Sequence, residues 1–403
     1  MLTAGSWPCI ILLYIYGTVA TSLVTQSVPV IGDIATYFHL SHAASGWVIS
    51  IPSLITALGA LFAGWLVDRI GDKRVILGGS VFAFAGNLGV FFAHDLTALF
   101  VSRLLEGVGY LSLTVGAVTL IMRTTSGARR SIALGLWTSH TAVGIGMTLS
   151  FVAPLAQRGE MWRWAFGGHA MLMAVLVALA FLLPRKHANT QDRRLSDIWL
   201  VLRSRAPYRV ALASGASAFI QTGIMAALTV YLARRFQISI ASAAGIGTLA
   251  EVFVAIGCLS VGHLLKAGAK TWMLAITGGI VMLAGGIVMY LPATALVGAA
   301  VAVCAFSLGI GTVNGTIWTM VPGAAPTPAT LGATSGLVSQ ATYLGVLLGP
   351  PAIFATFYEG GWTVRVTLVV VATVLQLAPI LMGSRSKDAD ELPSGDVQAL
   401  GHR

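Results

Sequence analysis

Gly64-Trp65-Leu66-Val67-Asp68-Arg69-Ile70-Gly71-Asp72-Lys73-Arg74 sets five charged residues among eleven, in a 403-residue chain that is 9% charged and 56% hydrophobic. An apolar run at about 44–67 leads into it, and a second at about 75–93 leaves it. Each is close to the roughly 20 apolar residues that a helix needs to cross a bilayer. The stretch therefore reads as a tight polar turn between two spanning helices. Gly64 and Gly71 permit close helix approach and a sharp turn. Asp68 stands where it can face the positive N-terminal end of a neighbouring helix.

Outward from that turn the same pattern repeats. Soluble domains carry about 25% charged residues to cover their surface. A chain this long with so few cannot hide its apolar surface in one or two cores. A soluble enzyme, a disordered chain and a secreted disulfide scaffold are all excluded. Twelve apolar runs follow one another, at about 7–30, 44–67, 75–93, 97–122, 131–155, 163–184, 210–232, 241–264, 271–291, 294–321, 329–355 and 361–382. The fold class read from them is an all-α membrane protein of 12 transmembrane helices. Its parts are a six-helix bundle over 1–184, a linker over 185–209, a second bundle over 210–383 and a tail over 384–403. The linker is polar and basic, with an amphipathic stretch at Leu195–Leu202 that suits a helix lying on the membrane surface.

The formal net charge of +10 would suggest nucleic acid in a soluble protein, but here the charges sort by side. Arg69, Lys73, Arg74, Arg123, Arg129, Arg130, seven linker residues, Lys266, Lys270, Arg385, Lys387 and Arg403 fall on one side. Arg158, Arg163, Arg234, Arg235 and Arg365 fall on the other, and Arg103 lies inside a run. Positive-inside topology puts both termini in the cytoplasm, and no nucleic-acid partner is expected. The expected seat is the plasma membrane, multi-pass, in a bacterial inner membrane. No cleavable signal sequence is expected at the N-terminus. Cys9, Cys258 and Cys304 sit singly in apolar runs, as packing residues rather than metal or disulfide partners.

The halves echo each other. Gly135–Gly144 in the fifth run parallels Gly336–Gly345 in the eleventh, Trp162 parallels Trp362, and Gly64 parallels Gly262. Two pseudo-symmetric six-helix bundles are a transporter architecture, with the solute site at midplane between them.

The 64–74 stretch resembles the signature G-x-x-x-D-R-x-G-x-[KR]-[KR] of the major facilitator superfamily, with every defining position filled. Gly262–Lys270 is a degraded copy, in which Lys266 replaces the acid. The resemblance implies that Asp68 meets the eleventh helix, so that Gly64, Asp68, Arg69, Gly71, Lys73 and Arg74 form a gating latch between the halves. The alternative is a basic loop that only sets topology. Arg103–Gly109 in the fourth run resembles the superfamily's R-x-x-x-G-x-G pattern. It is also similar, over few residues, to bacterial anion and cyanate-type carriers. The Gly-Pro motif expected in the fifth run of drug exporters is incomplete: Thr148 stands where a glycine belongs, and Pro154 comes late.

Each ionisable residue at bilayer depth costs roughly 2.5–3.5 kcal/mol on insertion scales, so its presence asks for a reason. Arg103, Glu106 and Glu251 qualify, and His140 and His169 lie in runs five and six. Arg103 and Glu106 are three residues apart and can pair, either as pure architecture or with Arg103 holding an anionic solute group. Glu251 has apolar neighbours and no basic residue within a helical turn. A carboxyl that is charged or neutral according to access is what proton coupling requires. Glu251, Glu106 and His140 are therefore the proton-coupling candidates. His140 also reads as an ordinary core histidine.

Polar stripes on pseudo-equivalent runs complete a candidate cavity: Tyr14, Thr18, Thr21, Thr25 and Gln26, then Ser214, Ser217, Gln221 and Met225. Tyr110, Asn314, Trp318, Gln340 and Tyr343 join them. The expected function is secondary active transport of a small solute by alternating access, with protons as the driving ion. A small organic or inorganic anion is favoured, because Arg103 is the sole intramembrane cation. A proton-coupled drug or metabolite exporter is the rival within the class. A membrane-embedded enzyme or a non-transporting sensor is the rival outside it. No metal or other cofactor is expected, since neither H-E-x-x-H nor a G-x-x-x-x-G-K-[ST] loop is present. The partners are the solute, protons and the lipid bilayer, with the monomer as the working unit.

Overall fold

A computed structural model describes residues 2–156, 158–184, 196–359 and 361–390. The first part of the linker (185–195) and the end of the tail (391–403) lie outside the described residues. Among the described residues every regular element is helical. In the first half these are α1 (Trp7–Thr25), α2 (Ile31–Phe38), α3 (His42–Ile70), α4 (Asp72–Phe91), α5 (Leu96–Thr124), α6 (Gly127–Thr138), α7 (His140–Phe151) and α8 (Arg163–Ala180). Then come α9 (Ser196–Arg203), α10 (Arg205–Phe236), α11 (Ile240–Lys266), α12 (Thr271–Tyr290), α13 (Leu296–Ala324), α14 (Leu331–Glu359) and α15 (Trp362–Asp390).

Eleven of the described helical segments are long and apolar enough to cross a membrane. The fifth apolar run is the exception, because it is broken in two at Ser139, leaving helices of 12 residues each. The cause is local. Three successive side chains bond carbonyls three residues back: Thr138 Oγ1 to Gly135 O (2.9 Å), Ser139 Oγ to Leu136 O (2.7 Å) and His140 Nδ1 to Trp137 O (2.5 Å). Side chains that take carbonyls in this way compete with the helical ladder. The first run also ends early, at Thr25, and the short α2 follows it.

Large apolar side chains point outward along the helices, among them Phe62, Met171, Ile280, Val297 and Val374. Such a surface belongs against lipid tails rather than water. Within the first half α5 packs on α1, α3 and α4, while α8 packs on α4. Within the second, α13 packs on α11 and α12, and α15 on α10 and α12. The two most extensive crossings between the halves are α3 against α14 and α6 against α11. At the first, a Cβ on Gly64 would run into the backbone of Gly332, so only glycine allows the approach. At the second, Gly262 meets the backbone of Ser131 and Ile132. The glycines paired by the internal repeat thus occupy matching crossings. The helix α9 docks on α10, α14 and α3 at the same end of the molecule as the 64–74 turn.

Candidate functional site

Between the halves lies a cavity of about 350 Å3. Its wall draws on α1 (Thr21, Thr25), α5 (Tyr110, Thr114), the α6–α7 break (Trp137, Thr138, His140, Thr141), α10 (Ser214, Gln221, Thr222, Met225), α11 (Glu251), α13 (Asn314, Trp318) and α14 (Ser339, Thr342, Tyr343). The break in the fifth run is therefore part of the site, since Thr138, His140 and Thr141, on either side of it, line the cavity.

The polar side chains of the wall are held by one another. Asn314 Oδ1 accepts from Ser217 Oγ at 2.5 Å, and its Nδ2 donates to Gln221 Oε1 at 2.8 Å. Ser214 and Thr342 share a hydrogen bond of 2.7 Å. Tyr343 donates to the Tyr110 hydroxyl, and the two rings meet edge to face with centroids 5.5 Å apart. That pair joins α5 to α14, one helix from each half. The His140 ring lies on Trp137, with centroids 4.4 Å apart. Glu251 makes no hydrogen bond or ion pair with a described residue, and it lines the cavity.

Of the residues singled out from sequence, Tyr110, Gln221, Asn314, Trp318, Tyr343, His140 and Glu251 come together on this wall. Tyr14, Thr18, Gln26, Arg103 and Glu106 do not. Tyr14 bonds Ser139 at 3.2 Å, behind the wall. Thr18 is buried in helix packing. Gln26 donates to Asn87 Oδ1 at 2.8 Å. Arg103 and Glu106 are both fully buried and paired with each other. The remaining guanidinium donors of Arg103 go to Val48 O (2.8 Å), Val24 O (3.4 Å) and Ser27 Oγ (3.4 Å). A guanidinium in an apolar interior must have its donors matched, and here backbone carbonyls match them. The sequence showed two charges at pairing distance but not which way their helix face was turned.

At the end of the molecule that carries the 64–74 turn, the Asp68 carboxylate accepts from Gly332 N (2.9 Å) and Ala333 N (2.8 Å), in the first turn of α14. It also pairs with Arg123, which reaches Asp72 at 2.9 Å. An anion at a helix N-terminus is favourable, and a guanidinium bridging two carboxylates fixes the turn. Gly71 has φ +93°, which closes the turn between α3 and α4. Arg69 lies over the Trp65 ring at 5.1 Å, Lys73 donates to Phe181 O and Leu183 O, and Arg74 is exposed. Arg123 had read only as a topology-setting charge. Nothing in its sequence neighbourhood marks it as the partner of Asp68.

The family model described as Major Facilitator Superfamily matches residues 10–350. The chain belongs to this superfamily. Its curated relatives include the arabinose-proton symporter of Escherichia coli strain K12, 27% identical over 163 residues, 40% of this chain and 34% of that protein. The 3-(3-hydroxy-phenyl)propionate transporter of the same strain is 29% identical over 148 residues, 37% of this chain and 36% of that protein. The chain thus spans about a third of the length of these curated relatives. The superfamily transporter FucP, solved in an outward conformation, shares the fold with a TM-score of 0.78 at 15% identity, covering 94% of this chain and 99% of that one. Superfamily membership and the apolar helices together make this a multi-pass membrane protein.

Proposed function

We propose that the protein is a secondary transporter that moves a small solute by alternating access between its halves, 1–184 and 210–383. In this reading the α6–α7 pair is the fifth of twelve spans. Both termini face the cytoplasm, and the working unit is a monomer in the plasma membrane. The observation that carries the reading is the cavity, which both halves line and whose wall includes one carboxyl residue, Glu251, without a hydrogen-bond or ion-pair partner among the described residues. Basic residues cluster at the end of the 64–74 turn, so that end is cytoplasmic. In this reading the contacts of Asp68 with α14 and of Tyr110 with Tyr343 hold that side closed, which leaves access to the cavity to the opposite side. The 64–74 turn then acts as a latch that must open for the inward-facing state.

The solute that suits this wall is small, polar and uncharged. Asn314, Gln221, Ser214, Thr342 and the tyrosine pair offer donors and acceptors, with Trp137 and Trp318 as apolar faces. No Lys or Arg stands on the described wall. The anion expected from Arg103 loses its ground, because Arg103 is spent on Glu106 and carbonyls. A sugar-like solute taken up with a proton on Glu251 agrees with the arabinose-proton relative. One observation keeps an anionic solute as the second reading: His140 stands on the wall and would be its counter-charge when protonated.

The test is uptake by the purified protein in liposomes under an imposed pH gradient, with a pentose, a hexose, a small aromatic carboxylate and a lipophilic cation as probes. Gradient-driven accumulation of a neutral sugar supports the reading. Accumulation of the carboxylate alone selects the anion. Extrusion of the lipophilic cation, with neither of these, overturns the reading in favour of an exporter.

A further inference from the structure

A buried histidine outside the cavity wall is joined to it by a continuous chain of hydroxyl groups. His169 on α8 is 4% exposed. Its Nδ1 lies 2.8 Å from the Ala165 carbonyl oxygen, which can only accept. Nδ1 therefore carries the ring proton and Nε2 is left as an acceptor. Nε2 lies 2.9 Å from Ser22 Oγ on α1. Ser22 Oγ lies 2.9 Å from Thr148 Oγ1 on α7, which lies 2.7 Å from Thr25 Oγ1 on α1. Thr25 lines the cavity.

Most intramembrane hydroxyls in this protein bond a carbonyl of their own helix, as Ser80, Thr114 and Thr373 do. That pattern is ordinary helix packing. The Thr25 and Thr148 hydroxyls also reach carbonyls, Thr21 O at 3.0 Å and Ser22 O at 3.2 Å, but together with Ser22 they in addition bond one another across two helices and end on a titratable ring. The chain is also satisfied in either direction. With the ring neutral, Thr25 donates to Thr148, Thr148 to Ser22, and Ser22 to Nε2. With Nε2 protonated, Nε2–H donates to Ser22, Ser22 to Thr148 and Thr148 to Thr25. Thr25 then turns its proton to Thr21 O, 3.0 Å away. A hydroxyl chain with a full set of acceptors in both senses can carry a proton without leaving any group unpaired.

We propose that His169 is a proton-binding site loaded from the cavity through Thr25, Thr148 and Ser22. A hydronium ion in the cavity gives its proton to Thr25 Oγ1, and Thr25 passes its own proton to Thr148. Thr148 passes one to Ser22, and Ser22 passes one to Nε2. Four O–H bonds break, one on the hydronium ion and three on the hydroxyls; three O–H bonds re-form on the hydroxyls, and one N–H bond forms. The cavity loses one proton and is left with water. The imidazolium then holds two donors, one to Ala165 O and one to Ser22.

The surroundings of His169 leave this chain as its proton route. The elements packed on α8 are α4, α1 and the 3-10 turn Gly159–Trp162. On α4 the charged groups are Asp72, Lys73 and Arg74. Asp72 pairs with Arg123, Lys73 bonds Phe181 O and Leu183 O, and Arg74 is exposed, all at the cytoplasmic end. On α1 the titratable groups are Cys9, Tyr14 and Tyr16, and the Tyr16 hydroxyl is given to Leu176 O. On the turn, Glu160 pairs with Arg163 at the other end of α8. The polar contacts of His169 are Ala165 O and Ser22 Oγ.

The inference does not depend on which solute is carried, and its test uses no solute. The full chain, labelled with 15N-histidine in lipid nanodiscs, is followed by NMR across about pH 4 to 9, a range centred on the ordinary histidine value. The His169 signal is assigned by its loss in His169→Gln. If that variant does not fold, it is assigned by its displacement in Ser22→Ala. The expected result is an Nε2 resonance that titrates in the wild type. In Thr148→Val its proton exchange slows at least about a hundredfold, the low side of what a positioned proton-transfer group contributes. A His169 signal that stays neutral throughout overturns the site. Unchanged exchange in Thr148→Val overturns the route. A transport assay that finds no carried solute would leave both results standing.

Discussion

Two glutamates lie at bilayer depth, and the structure treats them in opposite ways. Glu106 on α5 is fully buried and paired with Arg103, inside one half. Glu251 on α11 has no described partner and lines the cavity between the halves. Both are single acids in apolar helices, so what separates them is where their helix face points. A charge turned into a bundle is supplied with a counter-charge and carbonyls, because a bare one there costs several kcal/mol. On the proposed reading, a charge turned to the cavity between bundles is left to exchange protons there. On that reading, an intramembrane acid is structural inside a half and serves coupling between halves.

That contrast can be broken by mutation. Arg103→Ala strands the Glu106 carboxyl in the interior and should cost about 3–5 kcal/mol of stability, read by denaturant unfolding in detergent. A variant as stable as the wild type would show that the pair is not architecture. Glu251→Gln should leave the unfolding midpoint unchanged, yet lower gradient-driven accumulation by at least about tenfold, equivalent to 1.4 kcal/mol. Solute exchange without a gradient should survive. Undiminished accumulation would remove Glu251 from the coupling role.

Asp68→Asn removes an anion from the N-terminus of α14 and a partner from Arg123. It should shift the balance toward the state open at the cytoplasmic end by about 1–2 kcal/mol, a factor of roughly 5–30. Labelling of a cysteine placed at Thr119, which now bonds Ser335 across the closed interface, reads that shift. Unaltered labelling would leave the 64–74 turn as a topology signal only. Tyr343→Phe deletes the hydroxyl contact to Tyr110 and should raise the same labelling by about 1 kcal/mol or less.

Much of the frame was legible because its causes are local. Apolar runs of spanning length, the charged turn at 64–74 and the repeated glycines each follow from composition over ten to thirty residues, or from a short motif. The fifth run was not legible as a broken helix. Its apolar content suits a span, and the competition of Thr138, Ser139 and His140 for carbonyls shows only in three dimensions. Within the candidate site, Tyr110, Asn314, Gln221 and Tyr343 could be picked out as polar residues at helical spacing. Arg103 could not be assigned to a face, since helical spacing does not say what a face meets. The residues that hold Asp68 and His169 in place (Arg123 for the one, Ser22 and Thr148 for the other) carry no sequence signal that links them.

The 9% charge content by itself determined that this chain lives in lipid. The side on which its basic residues fall gave the reading of which end faces the cytoplasm. Both follow from transfer free energies that each residue carries with it wherever the helices go. Only the tertiary structure decided which buried charges are paired, which one lines the cavity, and which hydroxyls line up between Thr25 and His169. Those outcomes depend on distances of about 3 Å between residues more than a hundred positions apart, and pairing at that range is set by how the helices pack.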